Sequence, residues 1–173
     1  MKKAKPKIIK DSKRRGELAE SVFMARAAEN GLPVSKPVGD SDTFDCVVGR
    51  PGKFVGVQVK CTMAEGERGK GYECSVRSNN KIYRAGAFDF LVAYVIPEDA
   101  WYIVPAKLIR GQQTICLSSP RGKYEEYREA WHLLREATAC EEEEPEAPQS
   151  AEGAVATRMR ASFDFVRKYL EKG

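Results

Sequence analysis

Residues 54–62, FVGVQVKCT, place Val55, Val57, Val59 and Cys61 on one side of an extended chain and Gln58 and Lys60 on the other, because successive strand side chains point to opposite faces. The odd-numbered face reads as core. The even-numbered face then presents an amide and an ammonium roughly 7 Å apart from a rigid element. Just upstream, RPGK at 50–53 is a turn, and TFDCVVG at 43–49 is another β-branched run. The two runs make an antiparallel hairpin. In the earlier run Phe44, Cys46 and Val48 share a face, with Asp45 opposite them at the start of the strand. The hairpin carries Asp45 toward the Gln58 end of its partner.

Working outward, residues 12–30 show helical spacing, with Leu18, Val22, Ala25 and Glu29 in one stripe, Phe23 widening it and Gly31 as the stop. Glu17 falls about one turn from the helix start. PVSKPVG at 33–39 reads as a short strand, and MAEGERGKG at 63–71, with three glycines, as a loop. YECSVRS at 72–78 returns as a third or fourth strand, and NNKIYRAGA at 79–87 as a short helix or turn. FDFLVAYVI (88–96) and WYIVPA (101–106) are apolar strands separated by the turn PEDA. A helix begins near residue 124, with Tyr124, Tyr127, Trp131 and Leu134 on one stripe. The expected class is α/β, a mixed sheet of about five strands flanked by helices. The domain spans 12–139, after a basic leader at 1–11. An acidic linker at 140–153 and an amphipathic helix at 154–173, with Met159, Phe163, Val166 and Leu170 on one face, follow it.

Composition restricts the function. With 173 residues, 42% hydrophobic and 31% charged, the chain suits a soluble domain that needs no staples. Its longest apolar run, Phe90–Ile96, is far short of the roughly 20 residues of a membrane span. The N-terminus lacks the apolar core of a secretory signal, so a cytoplasmic location is expected. Five cysteines, none in a C-x-x-C pair, read as reduced packing residues. The single histidine, His132, excludes sites built on two His ligands and leaves little room for Ser-His-Asp chemistry. Residues 1–139 hold 24 basic against 17 acidic side chains, whereas 141–153 hold six glutamates and no base. A positive body suits a polyanion such as nucleic acid, although a solvated basic face gives the same count.

Asp45, Gln58 and Lys60 are the residues with chemistry to offer. A hard cation such as Mg²⁺ takes oxygen ligands, usually one or two carboxylates with water and a substrate phosphate. Asp45 brings a carboxylate and Gln58 an amide oxygen. A lysine beside them holds the attacking water and offsets charge developing on phosphorus. Each has a plainer reading too: Asp45 as a turn residue that starts a strand, Glu17 as a complement to its helix dipole, and Gln58 with Lys60 as a solvated strand face.

The ordered set of RRGELAE, GDSDTFDCVV, VGVQVKCT, DFLVAYV and AWYIVP resembles the PD-(D/E)xK nuclease superfamily, over about residues 12–110. It looks most like the branch of group I intron homing endonucleases and, more distantly, archaeal Holliday junction resolvases. The resemblance implies a restriction endonuclease-like fold. It also implies Mg²⁺, or Mn²⁺ in its place, held by Asp45, Gln58 and the Val59 carbonyl, with Glu17 on the metal or its water and Lys60 serving the nucleophile. Gln58 stands where most of the superfamily has an acid, which removes one negative charge from the metal site. Expected partners are double-stranded DNA and further copies of the chain, as dimer or tetramer. Candidate DNA contacts are Lys10, Lys13, Arg14 and Arg15 before or within the first helix turn, Arg68 and Lys70 in the glycine-rich loop, and Arg77, Asn79, Asn80, Lys81 and Arg84 beyond it. A nuclease for branched DNA and a catalytically silent DNA-binding module of the same fold are the alternatives.

Overall fold

Asp11 opens the first helix, its carboxylate accepting hydrogen bonds from the backbone N–H of Lys13 (2.9 Å) and Arg14 (3.2 Å). This satisfies donors that a helix start otherwise leaves bare. The computed structural model describes residues 9–39, 42–66, 71–78, 81–118 and 122–139. All lie in the first of two units, Met1–Ala139 and Cys140–Gly173. Most of the basic leader, Asp40, Arg68, Lys70, Asn79, Asn80, the acidic linker and the C-terminal helix fall outside the described residues.

Helix α1 is Ser12–Glu29, and the strands follow as β1 (Val34–Ser35), β2 (Cys46–Arg50), β3 (Lys53–Thr62), β4 (Tyr72–Ser75), β5 (Arg77–Ser78), β6 (Lys81–Ile82), β7 (Phe90–Val95), β8 (Ala100–Pro105) and β9 (Thr114–Leu117). A second helix, α2, is Trp131–Ala137. The main sheet is mixed and five-stranded, in the order β1-β2-β3-β7-β8. Its β3–β7 pair is parallel and its other pairs are antiparallel. The architecture is the α/β restriction endonuclease-like one that the alternation in 54–62 implied. Among the described residues no helix is long and apolar enough to cross a membrane.

Both faces of this sheet are covered. On one, Val57 and Val59 of β3, Val92 of β7 and Ile103 of β8 meet Ala19, Phe23 and Ala27 of α1 and Trp131 and Leu134 of α2. Phe23 sits with its ring centroid 6.1 Å from those of Trp101 and Trp131. On the other, Leu91, Ala93, Tyr102 and Val104 pack against Cys74, Ile115 and Leu117.

Several local expectations are corrected. The buried stripe of α1 is Ala19, Phe23 and Ala27 rather than Leu18, Val22 and Ala25, and Leu18 remains 46% exposed. Alanines let the helix approach the sheet closely enough to seat Phe23. Phe44 precedes β2, so alternation does not reach it, and it packs with the second cluster instead. Strand β4 pairs with β9, not with the main sheet. Residues 81–82 form a small hairpin with 77–78 instead of a helical turn. No helix starts at 124. A 3₁₀ turn at Glu125–Tyr127 gives way to a pairing of Arg128 with Tyr102 on the β8 edge. Glu129 then takes a left-handed conformation, φ 51°. Its carboxylate accepts from the Trp101 N–H at 2.7 Å and the Trp131 indole N–H at 2.8 Å. Those bonds hold a tight turn at Glu129 and Ala130 until α2 begins.

The β2–β3 hairpin closes through Pro51 and Gly52, and Gly49, at φ +135°, lies so close to β3 that a Cβ would stand 2.2 Å from the Lys53 carbonyl oxygen. Gly16, inside α1, has open space around the same position. Gly49→Ala should therefore destabilise the fold by about 2–3 kcal/mol, and Gly16→Ala should stabilise it by about 0.5–1 kcal/mol. Urea titrations of both variants check the opposite signs.

Candidate active site

Strand β2 begins at Cys46, where the Cα register pairs it with Val57. Beyond that point β3 continues without its neighbour. Asp45 fills the gap: its N–H donates to the Val57 carbonyl at 2.9 Å, and its carboxylate Oδ2 accepts the Val59 N–H at 2.7 Å. The same oxygen accepts from Gln58 Nε2. The amide nitrogen also lies 3.5 Å from the Val59 carbonyl. Gln58 is 6% exposed, so its contact with Asp45 is shielded from water.

Lys60, one strand repeat further on, is half-buried, with its ammonium 5.6 Å from the centre of the Tyr83 ring. Tyr83 is fixed in turn by an edge-on contact with Phe88, centroids 4.9 Å apart. From the other side, α1 brings Glu20 and the chain after β1 brings Lys36. These two form an ion pair with N–O distance 2.6 Å. Glu20, Lys36, Asp45, Gln58, Lys60 and Tyr83 all line one cleft of about 740 Å³.

Residues 10–134 match a family model described as PD-(D/E)XK endonuclease. The chain belongs to the PD-(D/E)XK endonuclease family. A solved structure of the bacterial homing endonuclease I-Ssp6803I is similar to this endonuclease at 30% sequence identity and a TM-score of 0.63, covering 73% of this chain and 95% of that one. No curated protein matches. Family and structural likeness together make the chain a nuclease acting on DNA.

The fold brings Asp45, Gln58 and Lys60 together and leaves Glu17 out. Glu17 is exposed and does not line the cleft. Glu20, three residues along the same helix, does. The helical geometry explains the exchange: at 3.6 residues per turn, position 20 flanks the stripe of Ala19, Phe23 and Ala27, whereas position 17 lies well round from it. Choosing the correct apolar stripe in the sequence would have pointed to Glu20. Lys36 and Tyr83 had no comparable signal as site residues, because their placement follows from the edge strand and from the segment after β6.

Of the candidate DNA contacts, Lys81 and Arg84 are exposed on the cleft wall. Lys10, Lys13 and Arg14 are exposed near the start of α1. Arg15 is half-buried and bonded to the Ile9 carbonyl at 2.9 Å, and Arg77 is bonded to Gln113 at 3.1 Å. Those two guanidiniums are already engaged within the fold. His132 is exposed on α2, and Cys46, Cys61 and Cys74 form no disulfide.

The ligands available around Asp45 are its own carboxylate, the Glu20 carboxylate, the Val59 carbonyl and, once its amide turns over from the Nε2-inward orientation seen here, the Gln58 oxygen. That set fits a hard divalent cation. It also explains why no group of three or more His, Cys, Asp and Glu occurs at metal-binding spacing among the described residues, since an amide stands in one position. Burial pushes the Asp45 carboxyl above its usual range, with Glu20 adding to the shift. The Val59 N–H bond, Lys60 and Lys36 oppose it.

The direction of this shift carries a stability consequence. The folded protein keeps the Asp45 proton to higher pH than the unfolded chain does, so the cost of burying the charge grows from the ordinary carboxylate range up through the raised pKa. Asp45→Asn should gain stability relative to the parent chain as pH rises from 4 to 8. Urea midpoints of both proteins at the two pH values, without divalent cation, measure it.

Proposed function

We propose that this chain is a divalent-metal-dependent endonuclease that hydrolyses phosphodiester bonds in double-stranded DNA, with Mg²⁺ as its ion and Mn²⁺ able to replace it. The observation that carries the reading is the convergence of Asp45, Gln58, Lys60 and Glu20 on one cleft. PD-(D/E)XK nucleases generally use divalent metals.

Asp45, Gln58 and the Val59 carbonyl would hold the ion, with Glu20 as the second acid. When bound, the ion supplies Lewis acidity toward the phosphate and lowers the pKa of water. The protein's own part is positional. The Val59 N–H fixes one Asp45 oxygen, which leaves Oδ1 without a protein hydrogen bond among the described residues. Lys60, seated against Tyr83, keeps a positive charge beside the path of the attacking water and offsets charge on the phosphoryl oxygens. Lys81 and Arg84 on the wall, and Lys13 and Arg14 at the helix start, meet backbone phosphates. Arg68, Lys70, Asn79 and Asn80 complete the proposed DNA contacts. One such site cuts one strand, so cleavage of a duplex calls for two copies, and the chain acts as a dimer or tetramer.

Incubating plasmid DNA with Mg²⁺ or with EDTA tests the reading. Cleavage should need the cation, and Asp45→Ala and Lys60→Ala should each lower the rate at least about a hundredfold. A parent protein no more active than these variants would leave a silent DNA-binding module. Faster cleavage of four-way junctions than of matched linear duplexes would shift the substrate to branched DNA.

Gln58→Glu probes the missing charge. It sets a second carboxylate against Asp45, so Mn²⁺ should bind more tightly, by about tenfold. The metal-free protein should melt at lower temperature, since like charges then face each other in a shielded contact. Calorimetric titration and thermal melts read the two effects.

A further inference from the structure

The cleft is lined by three carboxylates, Glu20, Asp42 and Asp45, against four cationic side chains, Lys36, Lys60, Lys81 and Arg84, and Gln58 contributes no charge. A divalent cation approaching this set meets little net attraction. The Lys36–Glu20 pair is lopsided in exposure: the Lys36 side chain is 52% exposed and that of Glu20 22%. The acid is therefore fixed in the wall, while the lysine reaches it from solvent on a flexible stem. Lys36 also lies near enough to Asp45 for its charge to pull that carboxyl's pKa down.

Resting on the metal-site reading above, we infer that Lys36 is a positioning residue: it holds Glu20 as an internal counter-cation in the metal-free protein and transfers to a DNA phosphate when a divalent cation takes the carboxylate. The exchange restores, at the moment of loading, the negative charge that Gln58 withholds. It also couples the two ligands. A cation that draws Glu20 away frees Lys36 for phosphate, and a phosphate that draws Lys36 away frees Glu20 for the cation, so each favours the other. The ion pair is exposed enough that breaking it costs little, as for other surface pairs.

The test uses the full chain, Lys36→Met, Glu20→Gln and the double variant. Mn²⁺ affinity is measured by calorimetry without DNA, and affinity for a fluorescent duplex is measured in EDTA across a range of salt. Lys36→Met should bind Mn²⁺ about fivefold more tightly yet bind DNA more weakly, with the salt slope reduced by about one. Glu20→Gln should do the reverse, weakening Mn²⁺ and strengthening metal-free DNA binding. In the Glu20→Gln background, Lys36→Met should change Mn²⁺ affinity by no more than about twofold, because its effect runs through Glu20. Lys36→Arg, which keeps the charge, should bind Mn²⁺ like the parent. Losing both affinities in Lys36→Met, or seeing the same Mn²⁺ gain with Glu20 absent, overturns the inference. Mn²⁺ binding that survives Asp45→Ala in the parent background overturns the metal-site reading instead.

Discussion

The bond from the Val59 N–H to the Asp45 carboxylate is the constraint on which the rest of the site depends. Strand β3 outruns β2 at Val57, and an unpaired backbone donor at Val59, which is 6% exposed, would cost about 1–3 kcal/mol. Asp45 removes that cost with a side chain. In doing so it fixes a carboxylate on the hairpin, beside Gln58 and one residue short of Lys60. The chemistry is thus placed by a backbone requirement. A neutral acceptor would satisfy Val59 equally well, so the negative charge is surplus to the fold and available to a ligand.

That surplus is expensive in the metal-free protein. Asp45 is partly buried, its pKa is raised, and Glu20 stands on the same cleft. The structure offsets the strain with donors, Gln58 Nε2 and Val59 N–H, and with two ammoniums. An acid at position 58 would add charge to the same shielded contact and lose the amide donor. In the proposed metal site Gln58 is therefore a compromise: the protein gains a hydrogen bond there and the site loses one ligand charge. Under the counter-cation inference, Glu20, tied to Lys36, is the reserve from which that charge is recovered.

How much of this was legible follows from which contacts are local. The alternation in 54–62 and the RPGK turn fix β2, β3 and their pairing, since period and turn geometry act within a few residues. Asp45, Gln58 and Lys60 were legible for that reason. Glu20 was not, because choosing between it and Glu17 needs the rotation of α1, and that rotation is set by Phe23 finding Trp101 and Trp131 across the sheet. The break at Glu129 was hidden for a similar reason. Tyr124, Tyr127, Trp131 and Leu134 do carry a helical spacing, yet Glu129 binds Trp101, 28 residues earlier, and a tertiary hydrogen bond overrides the local period. Strand β9 pairs with β4 across a gap of some forty residues, which the short run TICL does not announce.

A second aspartate shows what separates support from chemistry. Asp89 precedes β7 as Asp45 precedes β2. Its N–H donates to the Gly56 carbonyl at 2.8 Å, and its carboxylate accepts the Gly56 N–H at 2.8 Å. Both aspartates thus extend a ladder past the point where a neighbouring strand begins, one on each flank of β3. The resemblance ends with their surroundings. Beside Asp89 stands Gly56, covered by the Phe44 ring with carbons 3.5 Å from where a Cβ would lie, so the neighbouring strand position offers no side chain there. Beside Asp45 stand a shielded amide, Lys60 two residues on and Glu20 across the cleft. Capping a strand explains an aspartate at either position. The convergence of Gln58, Lys60 and Glu20 at Asp45, held by a strand whose other face is core, is what makes the same backbone device the proposed place of attack on a phosphodiester.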